Sequence, residues 1–507
     1  MVGLYKIVTV LVGIATVAIA FSGTEDTKET IETRDKSPEV GRNTYISLIN
    51  ATPYNWTKTY NHSYQMNSWD SKWPKLMQPG ESVTVYASIR FSPYHPMRDS
   101  AGETTYRIEG TKNPMSFQVQ CRSGIVHEAY IQFLENLETL NNNKYTEHNL
   151  GFSRTPGGVG FVLAGTEDHF ISNDGPLDWM QSQINEIGHL PLREITLPRS
   201  HHSGQWKNEK LVGGAQPANT QAHVLPLYDQ LGNGGIRVLD IRPMLKGGVF
   251  HHGHVSVWNG MPNGMLGATI KEMVDMQNKF MKDYPGELFI WDIHEHDARN
   301  GDKHFKSLDD EDRKKLYKEL FRLQHRHALP DGVDISTRPL NTLISERLRK
   351  RGRSCVIVRL PTSWATKKYF PGSKEGFLSG VNFPYKTRWS NTNKMKTLVE
   401  DQLRGLREAR PSRSSQMYNM DWILTQQRSQ ALFPLDLESI IELSGEAWKT
   451  LFQDLWNALT DETYPNWIAL DNIHGNQHKA LAMAINKCLA ARNCGSLGGK
   501  VKVGGGE

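Results

Sequence analysis

A chain of 507 residues with 38% hydrophobic and 22% charged side chains is long enough for two or three domains, and its composition excludes a disordered or fibrous protein. Its formal charge of +5 is spread out, with no basic stripe carrying interleaved aromatics, so nucleic acid is excluded as an expected partner. The same modest charge permits transient contact with an anionic membrane surface without requiring it.

The chain opens with Lys6 and an apolar run from Ile7 to Phe21 that contains Ala18-Ile19-Ala20, the pattern of a cleavable secretory leader. The expected boundaries are a leader at 1–20 and a flexible, apolar-poor linker at 21–42, with the mature protein extracellular. Sequons at Asn50, Asn55 and Asn61 suit a glycosylated surface. Four cysteines do not make a disulfide framework; Cys488 and Cys494 could close a small loop, and Cys355 reads as a buried thiol.

Over 43–150, short alternating runs such as Tyr45-Ile46-Ser47-Leu48-Ile49 and Ser116-Phe117-Gln118-Val119 lie between turn sequences, so an all-β module of sandwich type is expected. The Asn- and Gly-rich stretch 151–177 reads as a second linker, and 491–507 as a polar tail. Between them, residues 178–490 alternate strand-like and helix-like runs. Strands are expected at Glu194-Ile195-Thr196-Leu197, Ile236–Ile241, Gly248-Val249-Phe250-His251, Leu288–Ile293, Cys355–Leu360, near Val381, at Trp422-Ile423-Leu424 and at Trp467–Asp471. Leu266, Ile270, Met273, Val274, Phe280 and Met281 share one helical face, and further helices are expected at 314–323, 340–349, 394–408, 446–459 and 478–489. Eight strands with interposed helices predict an α/β fold, a (β/α)8 barrel behind the β module, whose site gathers at the C-terminal strand ends.

Polar residues cluster at those ends: Pro198-Arg199-Ser200-His201-His202-Ser203 after the first strand, Asp240-Ile241-Arg242 at the second, and His251-His252-Gly253-His254 after the third. Asp292-Ile293-His294-Glu295-His296-Asp297 follows the fourth, Arg359 ends the fifth and Asp471 the eighth. Cleaving a phosphodiester needs a base for the attacking hydroxyl, an acid for the leaving alkoxide and a cation for the non-bridging oxygens. Histidine suits both proton roles, and the arginine fork suits the phosphate.

The segments Ile195–Gly204, Gly235–Pro243, Val249–Gly253 and Pro465–Asp471 resemble, in order and spacing, the signatures of the phosphatidylinositol-specific phospholipase C X-domain family. The similarity covers about residues 178–490, and a β module ahead of such a barrel is similar to secreted fungal relatives. The resemblance implies His201 as general base, His252 as general acid, Arg242 as phosphate clamp, and Asp240 and Asp471 as partners of the imidazoles. It implies headgroup contacts from Arg359 and Trp389, with His294 and His202 also lining the substrate. The expected substrate is a phosphatidylinositol-like phospholipid or related phosphodiester. Calcium-dependent members carry acidic residues at both positions of Asp240 and Arg242, so Arg242 implies a calcium-independent enzyme without a cofactor. Two positions depart from the pattern: Arg199 replaces a glycine, and His202 replaces the usual Asp or Asn.

Two other readings follow from the same residues. His294 and His296, two apart, with His251 and His254 nearby, suit a zinc-dependent barrel hydrolase. The departures at Arg199 and His202 suit a catalytically weakened secreted protein that binds lipid or glycan. No element of the sequence specifies an oligomeric state.

Overall fold

A computed structural model describes residues 43–90, 100–123, 127–151, 158–258, 260–344, 352–427, 439–491 and 495–501. The leader at 1–20, the linker at 21–42, Cys494 and most of the polar tail lie outside them. Cys488 is disulfide-bonded, while Cys121 and Cys355 are buried free thiols.

The module is built from two sheets. Strands Ser82–Ser88, Asn43–Ala51 and Gly158–Ala164 form one of three strands. Leu76–Met77, Trp56–Tyr64, Ala101–Ile108, Met115–Ser123, His127–Glu135 and Glu147–Gly151 form one of six. Alternate residues Phe117, Val119 and Cys121, with Ile131 and Phe133, face a core shared with Ile46, Leu48 and Phe161, as period-two side-chain direction requires.

Residues 158–164 correct the linker assigned to 151–177, because they pair in parallel with Asn43–Ala51. All seven are buried: Val159, Phe161 and Leu163 face the module core, while Val162 and Ala164 face the α/β core. A strand covered on both faces shows no alternation. Its glycines are packing positions, since a Cβ on Gly160 would lie 2.8 Å from the Phe452 ring. The sequon at Asn50 is also corrected. Its side chain has no exposed surface, and its amide donates to the carbonyls of Tyr54 (2.8 Å) and Met77 (3.2 Å), so it presents no acceptor for a glycan.

The α/β part carries eight parallel strands: β1 Leu197–Ser200, β2 Val238–Ile241, β3 Leu288–Ile293, β4 Cys355–Arg359, β5 Phe377–Leu378, β6 Tyr385–Arg388, β7 Met417–Asp421 and β8 Trp467–Leu470. Their order is β5-β4-β3-β2-β1-β8-β7-β6, so the first strand lies beside the last and the sheet ends fall between β5 and β6. The expected third strand is absent from this sheet. Val249–Trp258 instead pairs antiparallel with Pro243–Lys246 and Met261–Thr269 in a separate six-stranded sheet. Gly247 and Gly248, with φ of 60° and 77°, make a tight turn there, and a turn so short cannot provide the crossover that a parallel neighbour needs. Val381 is exposed between β5 and β6, and Trp422-Ile423-Leu424 follows β7 rather than forming it.

The helix Ile270–Asp283 buries Ile270, Met273, Val274, Phe280 and Met281 as expected, and Thr269 caps it by accepting from the Glu272 amide at 3.1 Å. Leu266 belongs to the preceding strand. Leu227–Gly232, Asp310–Leu320, Leu340–Ile344, Met395–Ala409, Ile440–Thr450 and Gln477–Ala490 supply the remaining α-helices of five or more residues among the described residues.

Candidate active site

Because the eight strands are parallel, the residues at their C-terminal ends converge at one end of the sheet. β1 delivers Arg199 and His201, β2 delivers Asp240 and Arg242, β3 delivers Asp292 and His294, β4 delivers Arg359, and β8 delivers Asp471. The register places Asp240 opposite Asp292 and Asp292 opposite Arg359.

The first cluster surrounds His201. Its Nδ1 lies 2.9 Å from Asp471 Oδ1, and its Nε2 lies 3.0 Å from Arg242 Nη2. Arg242 also donates from Nε and Nη2 to Asp240 (3.1 and 3.0 Å) and pairs through Nη1 with Asp297 at 3.0 Å. Burial works against a charge on Asp240, but Arg242, His294 and His201 hold its carboxyl well below the usual range. The same balance keeps Asp297 low, with Arg242 as its main counter-charge. Asp471 accepts from the ring, so the other imidazole nitrogen points to Arg242 with its lone pair.

The second cluster surrounds Asp292, which is completely buried. Its Oδ1 accepts from Arg359 Nη1 at 2.9 Å, and its Oδ2 accepts from Arg199 Nη1 and the Tyr385 hydroxyl, both at 2.8 Å. Burial opposes this charge too, yet Arg199 and Arg359 lower the Asp292 pKa. His294 joins the clusters: its Nε2 lies 3.0 Å from Arg199 Nη2 and 3.4 Å from both Asp240 Oδ1 and Asp292 Oδ2. His201 Nε2 lies 3.9 Å from the other oxygen of Asp240, so the two imidazoles flank one carboxylate.

His252 belongs to neither cluster. It has no exposed surface; its Nε2 is 3.3 Å from His202 Nδ1, and its Nδ1 accepts from the Arg242 amide at 3.4 Å. Burial pushes its pKa down to about 3 and that of His202 well below the ordinary value, so both rings are neutral near pH 7. The His202 ring packs at 4.0 Å, tilted by 33°, against His254, whose Nδ1 contacts the Thr220 carbonyl at 3.1 Å. The backbone of His202 has φ 47°, a left-handed conformation that Asp and Asn adopt readily, and its amide donates to Asp240 at 2.9 Å.

Trp389 is 61% exposed and bonds Thr425, and it makes no contact with either cluster. His251 contacts the Gly267 carbonyl at 3.3 Å. β3 ends at Ile293, so strand alternation does not extend to His294 and His296; His296 is 87% exposed beside Asp297. Among the described residues no group of three or more His, Cys, Asp or Glu side chains is arranged to hold a metal ion. Asp292 and Asp297 were named among the polar residues at the strand ends but given no role, and Tyr385 and His223 were not singled out by the sequence. Asp292 carried one signal, a lone carboxylate within a fully buried strand. His223, which contacts the His201 carbonyl at 2.5 Å, carried none. A cleft of about 1410 Å³ between the β module and the helix Gln477–Ala490 contains none of these residues.

No family model matches this chain, and no curated protein does. A solved structure of a mutant phosphatidylinositol-specific phospholipase C from Staphylococcus aureus is similar to it, at 14% identity and a TM-score of 0.41, over 62% of this chain and 96% of that one.

Proposed function

We propose that this protein is a phosphodiesterase of the phosphatidylinositol-specific phospholipase C type, acting outside the cell on a phospholipid-like diester. The observation that carries the reading is His201 held between Asp471 at 2.9 Å and Arg242 at 3.0 Å. Asp471 fixes the Nδ1–H tautomer, so the Nε2 lone pair, which here accepts from Arg242, takes a proton from an attacking hydroxyl once a substrate phosphate draws that donor away. Arg242 is fixed by two carboxylates within one fork of that nitrogen, where its remaining donor capacity meets the non-bridging oxygens of a phosphate. Asp240 balances the guanidinium and orients it. The eight-stranded sheet is read as a distorted (β/α)8 barrel, with β1 beside β8 and the irregularity between β5 and β6.

The guanidinium of Arg242 fills the space between Asp240 and Asp297, and that occupancy supports a calcium-independent reaction. Turnover of phosphatidylinositol vesicles by the secreted protein, with and without EDTA, tests the reading. Activity that survives EDTA and falls by about 10²-fold or more in His201→Ala supports it. Loss in EDTA restored by zinc favours a metal hydrolase, and vesicle binding without turnover favours a binding protein.

A further inference from the structure

We propose, on the basis of the phosphodiesterase reading above, that His223 is a positioning residue, whose ring ties the loop carrying His201 to the loop carrying Asp471 and so holds the base against its carboxylate. The pairing of β1 with β8 ends at Ser200 and Leu470. His201 and Asp471 both lie one residue past that rung, where strand pairing no longer sets the distance between them. The His223 ring lies across this gap. Its Nε2 is 2.5 Å from the His201 carbonyl oxygen, and its Nδ1 accepts from the Ile473 amide at 3.2 Å.

Both partners have fixed roles, since a carbonyl only accepts and a backbone amide only donates, so the ring is the neutral Nε2–H tautomer. It is completely buried, and burial pushes its pKa down to about 4, so this form persists at neutral pH. The backbone beside the ring is anchored to the same two loops. The amides of Ala222 and His223 donate to the Gln205 carbonyl at 3.2 and 3.1 Å, and the Ala222 carbonyl accepts from the Asn472 amide at 2.7 Å. Asn472 has φ 49°, so the chain turns directly after Asp471, and the Ile473 amide meets the ring at that turn. With no exposed surface and both nitrogens engaged by backbone, His223 touches no substrate and acts through the 2.9 Å contact between His201 and Asp471. Arg242 is held separately by Asp240 and Asp297, so loss of the tie falls on kcat rather than on KM.

The test pairs His223→Met, which fills the space with neither an N–H donor nor a nitrogen acceptor, with His223→Gln, whose amide carries both a donor and an acceptor. His223→Met is expected to lower kcat on phosphatidylinositol by about 10-fold to 10²-fold with KM within about threefold, and His223→Gln to recover most of the loss. In NMR of protein labelled with 15N-histidine, wild-type His223 is expected as the neutral Nε2–H tautomer from pH 8 to pH 5. The His201 Nδ1–H resonance is expected to shift in His223→Met and to hold in His223→Gln. A folded His223→Met with unchanged kcat, a change confined to KM, an equal loss in both variants or an unmoved His201 resonance overturns the assignment and leaves the phosphodiesterase reading standing. An imidazolium or Nδ1–H tautomer at His223 in the wild type overturns it without need of any variant. Wild-type protein without turnover overturns the phosphodiesterase reading and this proposal together.

Discussion

Asp292 lies at the centre of the charge network, and changing it to asparagine keeps its size while removing its charge. Its two oxygens accept from three donors: Arg359 on one, and Arg199 with Tyr385 on the other. An amide supplies one oxygen, so its NH2 must oppose either Arg359 or the Arg199–Tyr385 pair. Arg199 is only 3% exposed, and it would keep its charge without its nearest carboxylate. Removing one partner of a buried ion pair costs about 3–5 kcal/mol, which at about 2.1 cal/mol/K per residue corresponds to a fall in melting temperature of about 3–5 °C for a chain of this length. Calorimetry of Asp292→Asn against wild type at pH 7 measures it. The pH dependence supplies a second readout. Because the folded-state pKa of Asp292 is lowered, its contribution is full above the unfolded value of about 3.9 and is lost as the pH falls through the folded value. The difference between the two proteins should therefore be constant from pH 8 to pH 5 and shrink in stronger acid. A variant within about 1 kcal/mol of wild type at pH 7, or a gap that persists unchanged at pH 2, would refute the reasoning.

Asp471→Asn is expected to lower kcat by about 10²-fold or more with little change in KM, because an amide no longer fixes the Nδ1–H tautomer of His201; steady-state kinetics on phosphatidylinositol checks this. Acid lability is expected to set in below pH 6.5. Burial lowers His252 to about 3 and His223 to about 4, so between those values and about 6.5 the unfolded chain binds more protons, and stability rises with pH. Each such histidine contributes up to ~1.4 kcal/mol per pH unit, and melting temperatures from pH 7 to pH 5 measure the slope.

The strands that carry the site were legible because they are apolar runs ending in polar residues, as in Leu288–Ile293 and Trp467–Leu470. The four elements misplaced share a physical cause: local pattern does not specify the partner of a strand. Val249–Trp258 has ordinary strand composition, and only the Gly247-Gly248 turn tells that it folds back on Pro243–Lys246. Gly158–Ala164 resembles a linker until the Phe452 ring is seen against Gly160. Neither Val381 nor Trp422-Ile423-Leu424 lies in the sheet, because β5, β6 and β7 are short and displaced along the chain. The acidic partners Asp292 and Asp297 needed three-dimensional proximity to the arginines to acquire meaning.

Arg199 and His202 are best understood together. A glycine at 199 would leave Asp292 and the inner edge of His294 without the guanidinium that lies between them, at 2.8 and 3.0 Å. An Asp or Asn at 202 could keep the left-handed backbone and the amide bond to Asp240, but it has no ring to pack against His254 at 4.0 Å or to meet His252 at 3.3 Å. A shorter residue at 202 would therefore uncover His252, while a glycine at 199 would release His294. Arg199 thus acts on the position of His294 and His202 on the packing of His252, each through a contact that a glycine at 199 or an Asp or Asn at 202 could not make.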